Sequence, residues 1–217
     1  MSAAAKLLYK EWRLVVGKPL LILFLLIPMM LVVPNYPYAV VMGYAILAVF
    51  TLFNIAEANR DVDFTATLPV RRADIVLSKA IAVWTVEGGM LLTAVPFAVI
   101  SNLVLGANRV GLDANLAFFG FTLAEYAVFN AIFLPVYFLN GHKTGWGALL
   151  GLIGYAAVVL AVELTVHFVP ALGVLDSRDV SDFGYQAIVL AAGAAVFAAA
   201  ALFTVRAAVK CFAKVNL

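Results

Sequence analysis

Long apolar runs separated by short polar connectors fill the chain at 19–35, 38–56, 80–105, 115–140, 146–170 and 184–206. Each run approaches or exceeds the length a helix needs to cross a hydrocarbon core of about 30 Å at about 1.5 Å per residue. The pattern predicts an all-α integral membrane protein: six transmembrane helices in a single domain over 1–217. Upstream the period changes. Over 4–17, Ala5, Leu8, Trp12 and Val15 share one helical face while Lys6, Lys10 and Arg13 share the other. That spacing predicts an amphipathic helix lying in the membrane interface, or a cytoplasmic extension of the first span. Lys18-Pro19 then supplies a break where the chain turns into the bilayer. The charges between Met1 and Gly17 and the shortness of its apolar stretches do not suit a secretory leader, so this segment is expected in the mature protein.

Composition points to lipid as the main solvent. The chain is 65% hydrophobic and 12% charged, whereas soluble domains are about half apolar and a quarter charged. The charges are also segregated. If the connectors alternate between faces, Arg109 and Arg178 are alone on one side. Lys6, Lys10, Arg13, Lys18, Arg60, Arg71, Arg72, Lys79, Lys143, Arg206, Lys210 and Lys214 lie on the other. Positive charge marks the cytoplasmic side, so both termini are expected in the cytoplasm. A lone cysteine, Cys211, excludes an intrachain disulfide and a metal site built from cysteines, and no metal site is expected. A nucleic-acid partner would need a basic patch on a folded soluble surface, and none is apparent.

Inside the runs, Pro28, Pro96 and Pro135 each remove a backbone donor and predict bent helices, although proline is common in membrane spans. Gly141, Gly145, Gly147, Gly151 and Gly154, and the alanine-rich run 191–201, have the spacing of close helix contacts, within one chain or between two copies. Glu87, Glu125 and Glu163 lie within predicted spans, where an ionisable group is costly unless paired, protonated or facing water. Each is a candidate cavity or gating residue, or else a hydrogen-bonded packing anchor. His167 follows Glu163 at i, i+4 and is placed to share a hydrogen bond with it.

The longest polar connector, 57–79, joins the second and third runs. Leu68-Pro69-Val70 predicts an extended corner, with a short helix before it around 62–67 and a new helix from Arg71 onward. Phe64, Leu68 and Val70 stand among Asp61, Asp63, Arg71, Arg72 and Asp74. Apolar knobs among charges suit a protein contact, or a loop lying on lipid headgroups. No ATP-binding loop is present. Gly141-His142-Lys143-Thr144 imitates the end of a P-loop but lacks the upstream glycine and sits between membrane helices, so it reads as a tight turn. Hydrolase motifs are absent, no catalytic residue is assigned, and energy must come from a partner or an ion gradient.

The stretch from Phe64 through Thr-Ala-Thr-Leu-Pro-Val-Arg-Arg-Ala-Asp-Ile-Val-Leu-Ser to Lys79 after the second span, with six spans and an amphipathic start, resembles the type-2 ABC exporter permeases. The sequence-specific likeness is confined to this connector. The resemblance implies a coupling helix that sits in a groove of a separate ATP-binding subunit. Phe64, Leu68, Pro69, Val70, Arg71, Arg72, Asp74 and Ile75 would be its contact set, assisted by the N-terminal helix with Lys6, Lys10, Trp12 and Arg13. It further implies two ATP-binding subunits holding ATP and Mg, no cofactor in this chain, and a second permease copy in a homodimer. The expected location is a bacterial cytoplasmic membrane, and the cargo an amphipathic or hydrophobic molecule such as a peptide, lipid-like compound or drug. The segment 169–183 falls where the family has short re-entrant or gate elements, although a plain loop also fits. The alternative is a proton-coupled secondary carrier using the intramembrane glutamates. Against it, no internal repeat relates 1–110 to 111–217.

Overall fold

Where apolar residues run on without a breaker, the chain is helical. The computed structural model describes residues 3–15, 22–33 and 35–215. In chain order its helices are α1 (Ala3–Lys10), which continues as a wider π turn over Glu11–Val15, and α2 (Ile22–Val32). Next come α3 (Tyr38–Ala58), α4 (Asp61–Ala66) and α5 (Arg72–Val104). The last three are α6 (Leu116–Leu139), α7 (Thr144–Phe168) and α8 (Phe183–Ala213). Among the described residues, α3, α5, α6, α7 and α8 are the five long and apolar enough to cross a membrane.

The first expected crossing differs. Of the run 19–35, the described part is the shorter apolar helix α2; the Lys18-Pro19 break, with 16–17 and 20–21, lies outside the described residues. Within α2, the amides of Leu25, Leu26 and Ile27 donate to the carbonyls of Ile22, Leu23 and Phe24, three residues back, and Met29 and Met30 repeat the pattern. Pro28 has no amide to contribute, so the segment winds in tight three-residue turns. Pro96 and Pro135, by contrast, lie inside α5 and α6 without ending either.

Helices α3 and α6 form the buried middle. Phe53 packs edge-on against Phe133 and Tyr137, with centroids 4.8 and 4.7 Å apart. Hydroxyls in an apolar interior need acceptors. Tyr126 donates to the carbonyl of Met42 (2.7 Å) and Tyr155 to that of Ala39 (2.8 Å), which ties α6 and α7 to α3. Small residues set the closest crossings, all within one chain. Gly151 and Gly154 on α7 face Phe129 and Ile132 on α6, and Gly120 on α6 meets Gly193 of the alanine-rich stretch on α8. At Gly141 and Gly145 an added Cβ would meet open space, so these two make no close crossing. The outer faces of α7 and α8 expose Leu152, Leu160, Ile188 and Leu202.

Two ends result. Helix α1, the connector between α3 and α5, the turn before α7 and the end of α8 gather at one, here called the elbow end. Loops 105–115 and 169–183 meet at the other. The second of these, expected as a plain loop or gate element, contains two short 3-10 turns, Pro170–Leu175 and Val180–Asp182.

Candidate functional site

At the elbow end, α3 stops after Ala58, and Arg60 takes a left-handed conformation (φ 48°) that reverses the chain into α4. Asp61 and Asp63 occupy the first turn of α4, where helix dipoles favour carboxylates. Pro69 then centres a three-residue turn closed by the Val70 amide on the Leu68 carbonyl (2.7 Å), and Arg71 is extended (ψ 143°) before α5 begins. The short helix falls within a residue of the expected 62–67, whereas Leu68-Pro69-Val70, expected to be extended, closes into a tight turn and the next helix begins at Arg72.

What holds this elbow is a cluster of two cations and two anions. Lys79 donates to Glu11 (2.8 Å) and to Asp61 (2.7 Å). Lys10 donates to the other oxygen of Asp61 (2.7 Å) and to Thr65 (3.0 Å), and lies 3.2 Å from Glu11. The Lys79 and Glu11 side chains are 1% exposed. Buried charges persist only when paired and hydrogen-bonded, as all four are here. Burial alone would raise the Asp61 pKa, but Lys79 and Lys10 outweigh it and hold the carboxyl below its ordinary range. Helix α1, α4 and α5 are thereby locked together through one lysine.

Sequence periodicity missed this cluster. Lys10, expected on the outward face of the N-terminal helix, turns inward instead, because the paired carboxylates of Asp61 and Glu11 replace its water. Leu7 and Glu11 are buried, while Tyr9 and Trp12 face out with Arg13 bonded to the Tyr9 hydroxyl (2.9 Å). Lys6 is exposed, and the side chains of Ala5 and Val15 lie outside those described. The one available signal was Glu11, an acid one helical turn after Leu7.

The remaining neighbours of the elbow come from far along the chain. His142, in a left-handed turn with Gly141, lies 3.5 Å from Asp63 and edge-on to Phe212 at 5.1 Å. Burial lowers the His142 pKa despite the nearby Asp63. Glu57, at the end of α3, accepts both the amide and the hydroxyl of Thr144 (2.8 Å each) and so caps α7 from another helix. The P-loop-like tetrapeptide is thus a tight turn that leads into α7. Arg72 donates to the Phe212 carbonyl (2.7 Å) and lies over its ring.

The expected contact set divides. Phe64 is 65% exposed and Leu68 41%; Pro69 and Arg71 are also exposed, the last forming a two-pronged bond to Asp74 (3.0 Å each). Val70 is half-buried, Arg72 is turned to the C-terminal segment, and Asp74 and Ile75 are buried in the fold.

The three intramembrane acids do not converge on a shared hydrogen-bond network. Glu87 accepts from Asn130 (2.8 Å) between α5 and α6. Glu125 is buried with Oε2 unpartnered. Glu163 accepts the Leu112 amide (3.2 Å) and lies 3.5 Å from Nδ1 of His167, which is also 2.9 Å from the Glu163 carbonyl. Among the described residues no cluster of acids, histidines and cysteine is placed to hold a metal ion.

At the opposite end, Arg178 staples the two loops by donating to Asp113 (2.7 Å) and to the carbonyls of Leu105 (2.7 Å) and Gly106 (2.8 Å). Below it, a cavity of about 620 Å³ opens between α5, α6 and the start of α8.

The profile of the ABC-2 family transporter proteins matches residues 6–207, nearly the whole chain. The chain belongs to the ABC-2 transporter family. A search of the curated proteins and of the solved structures gives no significant match. Family and helices together make the protein an integral membrane ABC-2 permease, the transmembrane component of a transporter rather than itself an enzyme. Permeases of this family generally work with an ATP-binding subunit. In this permease the elbow exposes Phe64, Leu68 and Pro69 beside Arg71.

Proposed function

We propose that this permease exports an amphipathic or hydrophobic cargo by alternating access, driven by a separate cytoplasmic subunit that holds ATP and Mg and docks on the elbow. The observation that carries this reading is the elbow itself. Phe64, Leu68 and Pro69 project apolar surface beside Arg71, while the element beneath them is braced by the Lys79 cluster. A braced knob transmits a push; a loose loop absorbs it. Closure of the ATP-binding subunit would move α4, α1 and the start of α5 together, and the Arg72–Phe212 contact would carry that motion to α8. The broad apolar faces of α7 and α8 leave room for a second permease copy as well as lipid, giving a homodimer served by two ATP-binding subunits. With α1 and the last turns of α8 at the elbow end, both termini would lie in the cytoplasm on this reading.

The test is to copurify the chain with an ABC-type ATP-binding subunit from the same organism. Leu68→Asp combined with Arg71→Glu should leave the thermal midpoint within a few degrees and weaken association by about 30-fold, the effect of losing a contact worth roughly 2 kcal/mol. Unchanged association would remove the assigned contact. A proton-coupled carrier is the competing reading because Glu125 is buried with an unpartnered oxygen. Uptake driven by a proton gradient in vesicles lacking the ATP-binding subunit would establish it.

A further inference from the structure

Glu87 and Asn130 meet where α5 packs on α6. Oε2 of Glu87 accepts the side-chain amide of Asn130 (2.8 Å), and the two residues are 1% and 2% exposed. Each keeps a second oxygen. Oε1 of Glu87 and Oδ1 of Asn130 are buried with no hydrogen-bond partner among the described residues. An ionised glutamate only accepts hydrogen bonds, and so does an amide oxygen. As a carboxylate, Glu87 would therefore leave two bare acceptors on one buried pair, with the desolvation of both uncompensated.

Neighbouring side chains do not supply the missing donor. Tyr126, one turn before Asn130 on α6, spends its hydroxyl on the Met42 carbonyl (2.7 Å). Thr204 stands at the level of Asn130 on α8, in the register set by Gly120 against Gly193 and Phe138 against Phe212, and its hydroxyl bonds to neither oxygen. A countercharge is also missing. Among the described residues no ion pair includes Glu87. Lys79 lies about 12 Å away along α5 at ~1.5 Å per residue and is engaged by Glu11 and Asp61. One proton removes both deficits. On Oε1 it creates an O–H donor for the amide oxygen, so that acid and amide can exchange two hydrogen bonds, and it takes the charge out of the membrane interior.

We propose that Glu87 is a proton-binding site, its carboxyl held neutral between α5 and α6 with the acid hydrogen donated to the Asn130 oxygen. Helix α5 starts at the elbow, so this joint ties the helix leaving the elbow to α6 through neutral hydrogen bonds. The proposal concerns the permease alone and stands apart from the export reading. Infrared spectra of the purified full chain in lipid at neutral pH, wild type minus Glu87→Gln, should show the carbonyl stretch of a protonated carboxyl and no carboxylate stretch. Asn130→Val leaves Glu87 in place and should move that protonated band to higher wavenumber, because the Glu87 carbonyl no longer accepts the amide. Glu87→Gln should keep the thermal midpoint within a few degrees, since glutamine offers a neutral N–H where the acid offers O–H. Glu87→Leu strands Asn130 and should lower the midpoint well beyond that. Carboxylate bands in the difference spectrum, a protonated band that Asn130→Val does not move, or a Glu87→Gln variant as unstable as Glu87→Leu each overturn the proposal.

Discussion

Replacing Lys79 by methionine is expected to destabilise the permease by about 3–5 kcal/mol, because it strands buried carboxylates rather than merely deleting a contact. Glu11 loses its 2.8 Å partner and Asp61 its 2.7 Å partner, leaving both on Lys10. The measurement is the thermal midpoint in mild detergent, followed by retention of the ATP-binding subunit, since the elbow would come loose from α1. Adding Glu11→Leu to Lys79→Met should restore most of the lost stability. The pair is then replaced by apolar side chains, and Lys10 keeps Asp61. A double variant as unstable as the single one would mean that shape, not charge, is what Lys79 supplies. The same cluster sets an acid limit. Asp61 titrates below its ordinary value of 3.8 in the fold, so its contribution is complete above that pH and is lost as pH falls through the lower folded value. The Lys79→Met variant should show a smaller acid-sensitive component, since only Lys10 still faces Asp61.

Gly193→Ala should be nearly as damaging although it adds one methyl group. A Cβ at Gly193 would collide with the carbonyl oxygen of Gly120 and sit 2.9 Å from its Cα. Those atoms belong to backbone, so no side chain can swing aside and α8 must separate from α6. Overpacking of this kind costs about 1–3 kcal/mol and sometimes more. In lipid the loss is acute, because close van der Waals contact is a main force joining helices there. Gly184→Ala, on the same helix with nothing within 4 Å, is the control and should leave stability unchanged. Comparing resistance to denaturation in a mixed-micelle titration separates the two. Equal behaviour would show that the α6–α8 crossing contributes little.

Family membership shows a transporter's membrane component, and the two variants probe what that component needs from its own chain. Lys79 tests whether the elbow moves as one piece with α1 and α5, which coupling to an external subunit requires. Gly193 tests the frame against which such a push acts.

Much of this architecture is legible in the linear chain, since burial in lipid is a sum over neighbouring residues and breakers act where they stand. Six apolar runs predicted six crossings and five of them are helices long enough to span, Pro69 marked the corner between α4 and α5, and the charged elbow stretch pointed to the family. Pro28 stood in the run that emerged as the shorter α2, but its effect depended on how neighbouring amides found alternative acceptors. Tertiary structure alone decided which charges meet. Glu11 and Asp61 reach Lys79 across 68 and 18 positions, Arg72 finds the carbonyl of Phe212, and Gly120 touches Gly193. Helical periodicity gives the direction of a side chain about its own axis. Whether that direction meets water, lipid or an opposite charge depends on the packing of helices whose relative positions no local pattern encodes.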